Sequence, residues 1–236
     1  MPTPQIDVDA ALAGGPSPAM AGGDLAASLR ARLAARGRGP VEMIETRTSW
    51  VLLTPRLALK LKKPLDLGFL DFSTIEARRL ACEEELRLNR RFSRGLYRCV
   101  VAVRGTAGDP RFEGAGEPID HLVCMRRFPP GALLSERLAE GPLSAELIER
   151  AAVALAGFHR RAAVARRSIT FGWPEQVLQS VLDVTRQLDG SDPRVARIRA
   201  WVQAQAWPLW DAWLERRHGG FVRECHGDLH LGNVAS

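Results

Sequence analysis

Lysine is scarce in this chain. Of 33 basic residues only three are Lys, and all three lie at positions 60–63. No uninterrupted apolar run approaches the ~20 residues that a membrane-spanning helix needs, which argues against a helical membrane protein. The N-terminus shows no basic region followed by an apolar stretch, the pattern of a secretory signal. The four cysteines, Cys82, Cys99, Cys124 and Cys225, are scattered without paired spacing. That excludes a disulfide framework or a zinc knuckle and points to reduced thiols and a cytoplasmic location. No internal repeat occurs, and no Gly-x-x-x-x-Gly-Lys-[Ser/Thr] phosphate loop. The net charge of +6 is carried mostly by Arg interleaved with Glu along helical segments. Such a pattern reads as solvated helix faces rather than a nucleic-acid surface, while its field remains compatible with a phosphate-bearing ligand.

What is present is enough for a sizeable core. A chain of 236 residues with 46% hydrophobic content fits one large domain or two small lobes. Residues 1–23, rich in Ala, Gly and Pro without apolar periodicity, read as a disordered leader. Asp24 offers a cap for a helix to about Ala35, with Leu25, Leu29 and Leu33 on one stripe. Five strands are expected, over 41–46, 50–53, 56–61, 97–104 and 119–128. The Gly- and Pro-rich segment 105–118 forms a hairpin loop between the last two. After the third strand, Ser73-Thr74-Ile75-Glu76 reads as a capping box opening a helix to about Phe92. Beyond Phe128 helical patterning takes over. Leu147, Ala151, Leu155 and Phe158 form a stripe expected to be buried, and the tryptophans at 201–213 are assigned to core packing in preference to a ligand wall. The fold class is therefore α+β: a small antiparallel five-stranded lobe at 24–128, followed by a mainly helical lobe at 129–236.

The lysines sharpen this. In Leu57-Ala58-Leu59-Lys60-Leu61 the leucines share one face, and Ala58 and Lys60 the other. A small Ala two residues before a Lys on a third strand leaves room for an adenine ring while the slim ammonium reaches phosphates, where Arg, a wide planar fork, would not fit. Lys62 and Lys63 read as a surface turn. On the following helix Leu80, Glu84 and Leu88 fall at four-residue steps. A carboxylate on such a stripe needs a partner, and Lys60 is the expected one. A small rotation of the helix exchanges Glu84 for Glu85.

Residues 226–233 read His-Gly-Asp-Leu-His-Leu-Gly-Asn, with Asp228 two residues after His226 and Asn233 five after Asp228. This is the spacing of a phosphotransferase catalytic loop, in which the Asp takes the acceptor hydroxyl's proton and the Asn holds Mg²⁺. His226 is expected to hold the loop by hydrogen bonding. His230 either lines an acceptor site or faces solvent.

Taken together, the chain resembles the aminoglycoside phosphotransferase and choline kinase-like group, which has the protein-kinase-like fold. Within that group it is most similar to bacterial proteins in which such a domain is fused to a P-loop ATPase domain. The closer likeness is carried by Ile44-Glu45-Thr46 with Ser49-Trp50-Val51, by Lys60-Leu61-Lys62-Lys63-Pro64, by Gly68-Phe69-Leu70-Asp71-Phe72-Ser73-Thr74 and by Cys82 through Arg90. The resemblance implies ATP- and Mg²⁺-dependent transfer of a γ-phosphoryl group to a hydroxyl of a small molecule. Asp228 would be the catalytic base, Asn233 the metal ligand, and Lys60, steadied by Glu84, the clamp on the α/β-phosphates. The turn with Thr48 and Ser49 would cover the phosphates, departing from a Gly-rich pattern, and the hinge 123–127, with Met125 at its centre, would offer backbone groups to adenine.

The same resemblance calls for a second metal-binding Asp after the loop and for further helices. Neither follows Asn233, so the reading expects a C-terminally truncated member with doubtful activity and apolar helix faces open to association. Two alternatives stand beside it. One is a non-catalytic nucleotide-binding module. The other is a metallohydrolase in which His226, Asp228 and His230 ligate zinc. The acceptor itself is not written in the sequence.

Overall fold

Residues 57–62 read Leu-Ala-Leu-Lys-Leu-Lys, and alternation of this kind sends leucines to one side of a strand and Ala and Lys to the other. The computed structural model describes residues 18–37, 39–68, 70–93, 95–186 and 188–235. There the segment is the third strand of a six-stranded sheet. The strands are β1 (Glu42–Glu45), β2 (Ser49–Leu53), β3 (Leu57–Lys62), β4 (Tyr97–Gly105), β5 (Pro110–Arg111) and β6 (Asp120–Arg126). They pair antiparallel throughout in the order β1-β2-β3-β6-β4-β5. Five strands were expected. The sixth, β5, is a two-residue pairing inside the expected hairpin loop, too short to show alternation.

The chain divides after Ala132 into two compact units. In the first, helix α1 (Pro18–Ala35) lays Leu25, Leu29 and Leu33, each at most 4% exposed, on the leucine side of the sheet. There they join Trp50, Leu52, Leu59, Leu61, Val103, Leu122 and Cys124 in one core. The helix already starts at Pro18, ahead of Asp24. The expected leader thus runs into it at 18–23, while its residues 1–17 lie outside the described residues, as does Phe69. Gly22 marks the close approach of α1 to the sheet, since a Cβ there would meet the Trp50 ring and Pro64 at 3.0 Å.

Helix α2 (Ile75–Arg90) packs on the other side, against β4 and β6. Its cap is Thr74 rather than Ser73. The Thr74 hydroxyl accepts the Ala77 N–H, while Asp71 accepts the N–H of Ser73. The buried stripe of α2 also differs from the expected one. Leu80 is 51% exposed, whereas Arg78 and Cys82 are buried. Arg78 Nε sits 2.9 and 3.0 Å from the two carboxylate oxygens of Asp120, and its Nη1 donates to the carbonyls of Phe72 and Ser73. This ion pair, nearly solvent-free, ties α2 to the start of β6.

The second unit contains α3 (Leu134–Glu140), α4 (Ala145–Arg161), α5 (Pro174–Arg186) and α6 (Pro193–His218). Ser144 caps α4 and Asp192 caps α6, with Pro193 at its first position. The stripe Leu147, Ala151, Leu155 and Phe158 is the inner side of α4, yet only Phe158 of the four is buried, and Ile148 and Val153 are open to solvent. Two of the four tryptophans depart from the expected core packing: Trp201 is 64% and Trp207 77% exposed, while Trp210 and Trp213 are half-buried, and α6 meets α5 through other side chains such as Arg199. Among the described residues no helix is long and apolar enough to cross a membrane.

Candidate functional site

The sequence-predicted site residues gather in two clusters, one in each unit. In the first, Lys60 and Lys62 stand two apart on β3 and project from the same face, where both meet α2. Lys60 Nζ lies 2.9 Å from Glu85 Oε1 and Lys62 Nζ 2.7 Å from Glu85 Oε2. One carboxylate thus bridges two ammonium groups, each oxygen taking one. The lysine partner is Glu85, not the expected Glu84. Glu84 is exposed and pairs with Arg87 on its own helix. The reason is the rotation of α2: Arg78, Cys82 and Glu85 follow at steps of four and three along the packed side, so its buried stripe is polar and the leucine spacing misleads.

Burial pushes the Glu85 carboxyl upward, but attraction and hydrogen bonds from Lys60 and Lys62 outweigh it and hold the group below its ordinary value. Glu85 in turn adds to the burial that raises the Tyr97 phenol. Burial likewise pushes the Cys82 thiol, on the same helix side, up to about 11, which makes it an inert packing group.

Lys62 is not a surface turn residue. Its side chain is 7% exposed, and its ammonium lies 4.8 Å from the centre of the Phe72 ring. Lys63 pairs with Glu45 and lies over Trp50 at the sheet edge.

The other expected nucleotide contacts fare differently. Thr46 closes the turn before β2, its hydroxyl donating to the Ser49 carbonyl and accepting the Ser49 N–H. Ser49 pairs with Lys62 across the sheet and is 1% exposed, so its hydroxyl faces packed side chains rather than solvent, which corrects its assignment as a phosphate contact. Thr48 is half-buried on the turn, its carbonyl accepting the Lys63 N–H. The expected hinge lies at the end of a central strand. Strand β6 lies between β3 and β4, so the peptide groups of Val123, Cys124 and Met125 serve the two ladders, and the Arg126 and Arg127 N–H groups go to the Leu96 and Arg56 carbonyls. What Met125 offers is its side chain, on the face shared by its partner Ala58 and by Lys60.

In the second unit, residues 226–233 form a loop held at both ends. Before it, an isolated bridge joins Val164 and Arg223, and the Arg223 guanidinium donates to the Arg160 and Ala162 carbonyls. After it, the Leu134 N–H at the start of α3 donates to the Val234 carbonyl.

Inside, side chains of the loop bond to its own backbone. The Asp228 N–H donates to His226 Nδ1, with Gly227 at a φ of 84° making the turn. The Gly232 N–H donates to His230 Nδ1 at 3.1 Å, and a Cβ on Gly232 would collide with that ring. Asn233 Nδ2 donates to the Asp228 carbonyl at 2.9 Å, which is the structural meaning of the five-residue spacing.

His230 Nε2 lies 3.0 Å from Asn233 Nδ2 and 4.0 Å from Asp228 Oδ2. The Asp228 side chain itself is 84% exposed. A loop so tied presents one carboxylate outward on a fixed backbone. A zinc centre fits this less well. The two Nδ1 atoms are occupied by backbone N–H groups, and among the described residues no three His, Cys, Asp or Glu side chains converge on a metal position.

Comparison with known proteins accords with this chemistry. Residues 44–235 match the phosphotransferase enzyme family, APH. The chain belongs to that family, and family membership implies the protein-kinase-like α+β fold. A stretch of 122 residues is 33% identical to uncharacterized proteins of Mycobacterium tuberculosis, strains H37Rv and CDC 1551, and of Mycobacterium bovis. The stretch is 52% of this chain and 23% of each relative, so the chain spans about a quarter of the length of the curated relatives it matches. No solved structure matches it.

Proposed function

We propose, with membership of the phosphotransferase enzyme family as the premise, that this chain is the phosphotransfer domain of an ATP-dependent, cytoplasmic kinase acting on a hydroxyl of a small molecule. The observation that carries the reading is the outward carboxylate of Asp228 on a loop pinned by the Asn233 side chain on the Asp228 carbonyl and by the two histidine Nδ1 atoms on backbone N–H groups. Its role is to orient the acceptor hydroxyl and take its proton as the oxygen attacks the γ-phosphorus. Lys60, the more accessible of the two lysines on Glu85, supplies the positive charge for the α/β-phosphates, and Glu85 fixes where that charge sits. Thr48 borders the same sheet edge.

Mg²⁺ fits the loop at Asn233. Its Nδ2 is committed to the Asp228 carbonyl, which leaves Oδ1, a hard oxygen of the kind this ion prefers, as the end for a cation. When bound, the ion neutralises charge on the phosphates. The matched share of the mycobacterial relatives supports a domain set within a longer protein there, for which a P-loop ATPase is the companion we expect.

Calorimetry with ATP and MgCl₂, together with an assay of γ-phosphate release, tests the proposal. The expected result is binding with slow turnover in the wild type, and binding without turnover in Asp228→Ala, a loss of about 10²–10⁴-fold as for removal of a general base. Turnover undiminished by that substitution contradicts the enzyme reading. Binding without any turnover in the wild type turns it into a nucleotide-binding module.

A further inference from the structure

A buried Lys–Glu pair has a built-in difficulty if its lysine is to serve a ligand. When the ammonium swings to a phosphate, the carboxylate is left bare in a desolvated place, which is strongly unfavourable. Here the carboxylate has two partners of unequal kind. Glu85, its side chain 13% exposed, holds Lys60 through Oε1 and Lys62 through Oε2. Lys60 is 29% exposed and Lys62 7%. Lys62 is hemmed in further: its ammonium lies against the Phe72 ring, and its strand position faces Ser49, itself buried. The cluster of two ammonium groups and one carboxylate carries a net charge of about +1, so one cation is in surplus, and the accessible one is Lys60.

We propose that Lys62 is a standing counter-ion for Glu85, a positioning residue that keeps the carboxylate paired and α2 in place while Lys60 leaves to hold an anionic phosphate ligand. The proposal rests on the reading of Lys60 as the phosphate-binding amine. It assigns the second lysine a purpose that a surface-turn residue would not have, and it accounts for Lys rather than Arg at both positions. Two slim stems fit side by side on one strand face over one carboxylate, where two guanidinium forks would crowd.

The test uses the full chain in two arms. Without ligand, urea denaturation compares Lys60→Met, Lys62→Met and the double variant. Each single variant leaves Glu85 one partner and keeps a cooperative transition, while the double variant loses more than the two singles together, because only it strips the carboxylate. Losses that simply add overturn the proposal.

With ATP and MgCl₂, calorimetry follows affinity. Lys62→Met weakens binding by about tenfold or more, since Lys60 must then abandon a bare carboxylate, and adding Glu85→Gln recovers most of that loss. A merely structural Lys62 predicts no such recovery, and unchanged affinity in Lys62→Met overturns the hand-over. If the wild type binds no ATP while the ligand-free double variant still loses more than the sum, the counter-ion role stands and the nucleotide reading falls.

Discussion

The two sides of the sheet in the first unit use the same strands for opposite ends. Toward α1, Trp50, Leu52, Leu59, Leu61, Leu122 and Cys124 close on three leucines with no charged group among them. Toward α2, the intervening residues of the same strands include Ser49, Ala58, Lys60, Lys62 and Met125. There the packing is completed by ion pairs, Lys60 and Lys62 with Glu85, while Arg78 with Asp120 ties the same helix to β6. One side is held by apolar burial, which is non-directional and tolerant of small shifts. The other is held by charges whose partners and distances matter, which is what a site for a charged ligand requires. Alternation along β2, β3 and β6 allows an apolar core and a charged face to be built from one layer.

The contrast can be tested by breaking each side in turn. Arg78→Met leaves Asp120 buried without its partner and should cost about 3–5 kcal/mol of stability. Leu61→Ala, which opens a cavity at a fully buried position, should cost about 2–5 kcal/mol. The two losses are similar in size but differ in rescue. Adding Asp120→Leu to Arg78→Met should return most of the loss, because no bare charge remains, whereas no single charge change rescues Leu61→Ala. Urea denaturation of the four variants decides it. Failure of Asp120→Leu to help would mean that Arg78 works through its bonds to the Phe72 and Ser73 carbonyls instead.

Acid should act on the charged side first. Burial holds His121 below its ordinary 6.5, with nearby Asp120 opposing and Arg79 assisting the shift. The unfolded chain therefore takes that proton before the folded one, and stability falls as pH drops below 6.5. Glu85 is held below its ordinary 4.5, so its contribution is complete above that pH and is lost as pH falls through the folded value. Denaturation midpoints should decline in two stages on acidification, and His121→Gln should remove the upper stage while leaving the lower. A single decline unaffected by that substitution contradicts the assignment.

Some of this was legible in the amino-acid order and some was not, for physical reasons. The face of Lys60 follows from a period of two, which fixes side-chain direction on a strand without knowledge of anything else. The octet at 226–233 is legible because its spacing encodes a local geometry, the return of Asn233 onto the Asp228 carbonyl. Glu85 stood second to Glu84 because amphipathic reading assumes that the packed side of a helix is apolar, while α2 packs with Arg78, Cys82 and Glu85. A signal was available: three lysines at 60–63 call for more than one acidic partner position. Strand β5 is invisible to any pattern two residues long. That Met125 lies on a central strand, with β6 between β3 and β4, is a fact of topology, not of composition. The exposure of Trp201 and Trp207 shows the converse error, since large aromatic side chains are not evidence of burial by themselves.

The central claim, that the charged side of the sheet holds phosphates through Lys60, is tested most directly by titrating ATP and MgCl₂ into Lys60→Met, with Lys63→Met as the control, since Lys63 pairs with Glu45 at the sheet edge. The account predicts a fall in affinity of about tenfold or more for Lys60→Met, as for loss of a charge-assisted contact, and none of consequence for Lys63→Met. Equal affinities in the wild type and Lys60→Met, both folded, would contradict it.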